Sequence, residues 1–137
     1  GVLEDIGETQ NFPDLAAKLA DALYAQGRNE RALELSKVSE ESTAPDDLSA
    51  GVQWRAVRAK LLARQGDPEG AEALAREAVA LASETDFLVL HGDALMDLAE
   101  VLLTAGREAD SLPVVQEALQ LYEQKGNVVA AERARNL

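Results

Sequence analysis

The chain has 137 residues and no cysteine, enough for one domain that buries roughly 65–70% of its unfolded surface and too little sulfur for disulfides, thiol chemistry or cysteine-type zinc sites. Its 25 acidic residues against 13 basic ones leave a net charge of −12, a field that repels nucleic-acid phosphates and anionic lipid surfaces. Apolar residues make up 47% and aromatic ones only 4%; a chain dominated by Ala and Leu favours close-packed helices over a β-sandwich, and no apolar run nears the ~20 residues that cross a bilayer.

In chain order, residues 1–12 carry no period and read as an N-terminal tail. Pro13 suits a first helical turn, and the Leu15, Leu19, Ala20, Leu23 spacing predicts a helix over 13–26 that Gly27 stops in a left-handed conformation. A second helix over 29–40 carries Ala32, Leu35 and Val38 and ends at the Ser42-Thr43-Ala44-Pro45 cluster. Asp46 and Asp47 favour a new N-terminus, so a third helix runs to about Gln65. Gly66-Asp67-Pro68-Glu69 combines a stop, a capping oxygen, a proline at the first helical position and an acid in the first turn, which starts a fourth helix over 68–83. The fifth spans 87–104 with Gly92 as an interior glycine that permits a close helix approach. Pro113 makes the sixth, within 107–125, either begin late at Asp110 or Ser111 or bend. Asn127 to Leu137 reads as a terminal cap. Opening on Gly1 rather than Met and stopping within a helical pattern, the sequence reads as a segment of something larger.

The three stop glycines, Gly27, Gly66 and Gly106, lie 39 and 40 residues apart and carry like residues at like offsets. Seven before each stand Ala20, Ala59 and Ala99, and four before each Leu23, Leu62 and Leu102. Five after come Ala32, Ala71 and Ser111, eight after Leu35, Leu74 and Val114, and twelve after Ser39, Ala78 and Ala118. A unit that cannot bury its apolar face alone stacks on its neighbours into a scaffold with a concave side. Three units follow, about 13–44, 46–84 and 86–125, with a cap at 127–137.

These residues resemble the tetratricopeptide repeat (TPR) family, whose helix pairs use a small residue in helix A, a large one three positions on, a glycine at the turn and alanines in helix B. Ala59, Leu62, Gly66, Ala71 and Ala78 match in the middle unit, Ala99, Leu102, Gly106 and Ala118 in the last, and Ala20, Leu23, Gly27 and Ala32 in the first. The period near 40 exceeds the family's usual 34, and Arg55 and Arg58 stand where large apolar residues are usual, so a long-period variant is the nearer likeness. The resemblance implies an all-α, right-handed superhelix of about three antiparallel helix pairs plus a C-terminal capping helix. Gly66 to Glu72 and Leu121 to Ala131 also resemble the C-terminal repeat regions of large bacterial regulators that carry a nucleotide cyclase or a signal-transduction ATPase.

One histidine, His91, and no glycine-rich phosphate loop argue against catalysis, a metal or a cofactor. The expected function is therefore a cytoplasmic, non-catalytic module that binds a protein or peptide segment, with no nucleic acid or membrane partner. The alternative is a regulatory segment of a larger signalling protein that contacts its own parent chain or a second copy. Lys60 and Arg64, spaced i,i+4, and the acidic row Asp93, Asp97 and Glu100 form like-charged rows that facing each other would relieve. In a TPR superhelix the A helices line the concave face, which by analogy directs Asp14, Asp21, Tyr24, Gln53, Lys60, Arg64, Asp93, Met96 and Glu100 to a groove. Lys60 and Arg64 would grip a ligand carboxylate while Tyr24 and Met96 supply apolar contact; otherwise the charges satisfy one another between repeats. Arg55 and Arg58 need carboxylates from helix one or five or a path to water, and Trp54 reads as a packing residue before a binding platform.

Overall fold

The computed structural model describes residues 12–126 and 128–136, and among these the chain forms seven helices and no strand. They are α1 (Pro13–Ala25), α2 (Asn29–Ser42), α3 (Leu48–Arg64), α4 (Pro68–Ser83), α5 (Leu88–Thr104), α6 (Glu108–Lys125) and α7 (Val128–Arg135). The tail expected at 1–12 lies, except for Phe12, outside the described residues, as do both expected ends of the cap, Asn127 and Leu137.

The turn chemistry is the same in each unit. Gly27, Gly66 and Gly106 adopt φ of +78°, +87° and +77°, a region that L side chains enter only at a cost. The amide after each glycine donates back to the carbonyl of Leu23, Leu62 or Leu102 at 2.9–3.0 Å, and the glycine amide itself donates to the carbonyl three residues before it, the paired bonds of a Schellman stop. Leu23 and Leu102 are buried and Leu62 partly so, so the same leucines close the turn and fill the core.

Helix starts follow from capping. Asp47 accepts from the Ala50 amide at 3.1 Å and Asp67 from the Gly70 amide at 3.0 Å, satisfying donors that a helix N-terminus leaves open. α2 continues to Ser42, past the expected 40, because the Ser42 and Thr43 hydroxyls donate to the Val38 and Ser39 carbonyls at 2.7 and 2.6 Å. α6 does not begin late: it starts at Glu108 and takes Pro113 into its second turn. A proline there forfeits one backbone bond, and the start is held by the Ser111 amide on the Arg107 carbonyl (3.2 Å) and by the Arg107 guanidinium on Asp110 (2.8 Å) and Glu72 of α4.

Burial repeats with the sequence period. Ala20, Ala59 and Ala99, then Ala32, Ala71 and Ser111, then Ser39, Ala78 and Ala118 are all buried. Their small volumes let the paired helices α1/α2, α3/α4 and α5/α6 approach closely. The A helices also pack on one another, α1 on α3 and α3 on α5, whereas α2, α4 and α6 pack on A helices and not on one another. Neighbours that touch on one side and splay on the other form a curved stack, with the A helices on the inside of the curve. α7 packs on α6 and closes the row.

The two arginines on α3 take partners other than those expected. Arg58 reaches neither α1 nor α5; it bonds Glu40 and Ser36 of α2, each at 3.0 Å. Arg55 donates to its own turn at the Gly51 carbonyl, 3.0 Å away. Both guanidiniums lie over the buried Trp54 ring, 4.4 and 5.0 Å from its centroid, so the stems cover apolar surface while the heads keep polar partners.

Candidate functional site

The inside of the curve holds a cavity of about 580 Å³. Ala17, Lys18 and Asp21 of α1, Val52, Gln53, Ala56 and Val57 of α3, and Leu90, Asp93, Ala94, Met96 and Asp97 of α5 line it, with Tyr122 of α6 and Ala130 and Arg133 of α7 on the far side. These residues occupy the N-terminal two thirds of the A helices, which run in parallel because an antiparallel B helix separates each from the next. The lining is mixed: Val52, Ala56 and Ala94 belong to one buried cluster that Leu90 packs against, and polar or charged side chains from Lys18 to Arg133 stand among the aliphatic ones. Phe87, 61% exposed at the start of α5, stands at the mouth.

Of the groove residues expected from sequence, Asp21, Gln53, Asp93 and Met96 line this cavity. Tyr24, Lys60 and Glu100 lie about one turn, and Arg64 about two turns, further along the same helices, and they join into a network that closes that end. Asp14 accepts from Gln53 at 3.0 Å, tying α1 to α3 near the opening.

Lys60 is the centre of the closed end. Its side chain is 6% exposed, and its ammonium donates to Asp21 of α1 at 2.5 Å and pairs with Asp97 of α5 at 3.0 Å. Burial works to lower its pKa, but Asp97, Asp21 and Glu100 outweigh burial and hold it above the usual lysine range. The same burial pushes Asp97 up to about 6 against the pull of Lys60, with Asp21 and Glu100 adding to the rise. Arg64 donates to the Tyr24 carbonyl at 2.6 Å and to Asn29 at 2.9 Å, and its guanidinium carbon sits 3.5 Å from the Tyr24 ring centroid. The Tyr24 hydroxyl donates to Glu100, crossing from α1 to α5, and burial together with that carboxylate pushes its pKa up to about 12. First and third units are thus tied across the second by Asp21–Lys60–Asp97 and by Tyr24–Glu100, so both cations expected to meet a ligand carboxylate have partners within the fold.

A second tie comes from behind. A Cβ added at Gly92 would lie 2.5 Å from Cε1 of Tyr122, so the missing side chain is what admits this ring from α6 to the groove wall. There its hydroxyl donates to Asp93 at 2.6 Å. Burial, then the Asp93 carboxylate, raise the Tyr122 pKa, and burial raises that of Asp93 despite the hydrogen bond it accepts. Sequence reasoning placed Asp93 but missed Tyr122 and the aliphatic walls; the interior glycine at 92 and the i,i+4 pairs Val52/Ala56 and Leu90/Ala94 were the signals. Trp54 faces a separate cleft on the other side of α3, beside Leu48 and Leu81.

Among the described residues, no group of three His, Asp or Glu could hold a metal ion, and no helix is long and apolar enough to cross a membrane. A comparison with curated proteins finds no match. The family model for the tetratricopeptide repeat matches residues 56–126, from the middle of α3 to the glycine that ends α6. With like turns, like buried alanines and A helices gathered on the inside of a curve, the chain belongs to the tetratricopeptide repeat family.

Proposed function

We propose that this chain is a non-catalytic protein-interaction module whose concave groove holds a peptide or protein segment. The observation that carries this reading is the cavity of about 580 Å³, lined by aliphatic and charged side chains and open beside Phe87. Its size and lining suit a few side chains of an extended segment. Contacts from α1 to α5 hold the walls in place, so a flexible partner loses conformational freedom while the scaffold loses little.

The test is selection from a displayed peptide library on the immobilised chain, compared with Gln53→Trp, which places a large ring in the groove from a partly exposed position. Peptides retained by the wild type and released by the variant, with unchanged melting, support the reading. Equal retention by both overturns it. Concentration-dependent self-association that Gln53→Trp abolishes would assign the groove to a second copy of the chain, the contact expected of a regulatory segment.

A further inference from the structure

The stack turns on α3. One buried apolar cluster joins α1 and α2 to α3 through Ala20, Leu35 and Val57, and two others join α3 to α4 and α5, one through Ala59, Ala71 and Leu98 and one through Val52, Ala78 and Ala94. None of the three holds residues of both α1 and α5, and these two helices share no extended packing. What links them is polar and lies at the closed end of the cavity: Lys60 of α3 stands between Asp21 of α1 (2.5 Å) and Asp97 of α5 (3.0 Å), and the Tyr24 hydroxyl reaches Glu100. Two bodies that meet along one helix, each keeping its own apolar contacts when the other tilts, form a hinge, and side chains that bridge its open side act as a latch. Both arms of that latch, Asp21 and Asp97, stand in the cavity lining with 55% and 27% of their side-chain surface exposed, so protons reach them from the groove.

We propose that this latch is proton-sensitive: when Asp97 takes up a proton, α5 is released from Lys60 and the cavity widens between its α1 and α5 walls. The release has a direction. Lys60 keeps its charge, since the surrounding carboxylates hold it above the usual lysine range, and it keeps Asp21, so α3 stays joined to α1 and the third unit is the one let go. A neutral Asp97 retains a hydrogen bond in place of an ion pair, which is the weaker contact. The Tyr24–Glu100 bond remains and limits the tilt. The surroundings of Asp97 set the response at mild acidity: burial, then Asp21 of α1 and Glu100 of its own helix, push its pKa up to about 6 against the pull of Lys60. Other charges near α5 are engaged elsewhere. From α6 the Tyr122 hydroxyl bonds Asp93, one turn before Asp97, and Arg133 of α7 acts on that same carboxylate. Arg64 of α3 is held by the Tyr24 carbonyl and Asn29. α4 meets α5 through apolar side chains, Ala71 and Ala78 among them, while its Glu72 pairs with Arg76 and with Arg107 of α6. The one histidine, His91, is not among the residues that line the cavity.

The chain has no cysteine of its own, so spin labels on Ala25→Cys and Thr104→Cys, exposed positions at the C-terminal ends of α1 and α5, report the separation of the two helices beside the latch. Pulsed dipolar spin resonance reads that separation from about pH 7.5 to about pH 5, across the titration of Asp97, and NMR follows the Asp97 carboxyl carbon over the same range. A proton-sensitive latch gives a separation longer by about 1–2 Å at the lower pH, the scale of a helix shift, with a midpoint that coincides with that of the carboxyl. Asp97→Asn, neutral throughout and close in shape, should hold the longer distance at both ends of the range. An unchanged separation, an Asp97 carboxyl that titrates in the ordinary range near about 4, a midpoint displaced from that of the carboxyl, or a response that survives in Asp97→Asn each overturns the proposal. If Asp97→Asn folds poorly, the coincidence of the two midpoints in the labelled chain that keeps Asp97 decides. No ligand takes part in these measurements, so they leave the peptide reading of the groove to its own test.

Discussion

Replacing Gly92 with alanine separates local helix preference from the packing that builds the groove wall. Alanine is favoured over glycine inside a helix by about 1 kcal/mol, so α5 alone gains from the change. In the folded chain the new methyl would sit 2.5 Å from Cε1, 2.9 Å from Cζ and 3.0 Å from Cδ1 of Tyr122, against 3.4–4 Å for ordinary contact. The ring cannot swing aside freely, because Tyr122 is 2% exposed and its hydroxyl is held by Asp93 at 2.6 Å. Overpacking of this kind costs about 1–3 kcal/mol, which outweighs the helix gain and leaves a net loss of about 1 kcal/mol and a melting point lower by roughly 4 °C. Chemical denaturation of Gly92→Ala, Tyr122→Leu and the double variant measures this. With the ring removed the alanine should stabilise, which gives a coupling of about 1–3 kcal/mol between the two positions. A Gly92→Ala chain more stable than wild type, or two changes that simply add, would refute the packing argument.

Replacing Lys60 with methionine keeps the length of the side chain but strips Asp97 of its cation, so denaturant melts should show a loss on the order of 3 kcal/mol; an unchanged midpoint would mean the Asp21–Lys60–Asp97 tie contributes nothing. Alanine at Gly27, Gly66 or Gly106 meets no atom within 4 Å, so each substitution should cost only the left-handed backbone penalty of about 1–2 kcal/mol. The three losses should be alike and nearly additive, and one turn responding quite differently would contradict equivalent repeats. Asp97 binds its proton more tightly in the folded chain, with a pKa near 6 against an ordinary 3.8, so its contribution to stability grows as pH falls from about 7 towards 4. Wild type should accordingly gain stability relative to Asp97→Asn over that window. A relative loss would show that the attraction of Lys60, not burial, governs this carboxylate.

The scaffold was legible because its determinants are local and repeated. A left-handed stop needs glycine, a helix start needs an oxygen acceptor, and close-packed pairs need alanine or serine, so spacing alone located the helices to within a residue or two in most cases. Of the two outcomes expected at Pro113, the late start does not occur, because the cost of a proline depends on how many bonds it breaks, and in the second turn of α6 it breaks one. The site was less legible because its charges are settled between helices far apart in sequence. The 100° projection put Lys60 and Arg64 on one face of α3, but it carried no information on which of several acids would reach Lys60. Asp21 lies 39 residues before it. Tyr24, expected to offer an apolar face, instead has Arg64 over its ring and Glu100 on its hydroxyl. Arg58 found its acid on α2, the B helix behind α3, a side the A-helix picture did not consider.

Methyl-resolved NMR of the chain, titrated with a peptide retained in the selection, asks where on the molecule a partner sits. The account predicts shifts gathered at Val52, Val57, Val89, Leu90 and Met96 on the inner helices. Shifts confined to Leu33, Leu74 and Leu119 on the outer helices α2, α4 and α6, or no saturable shift at all, would contradict it.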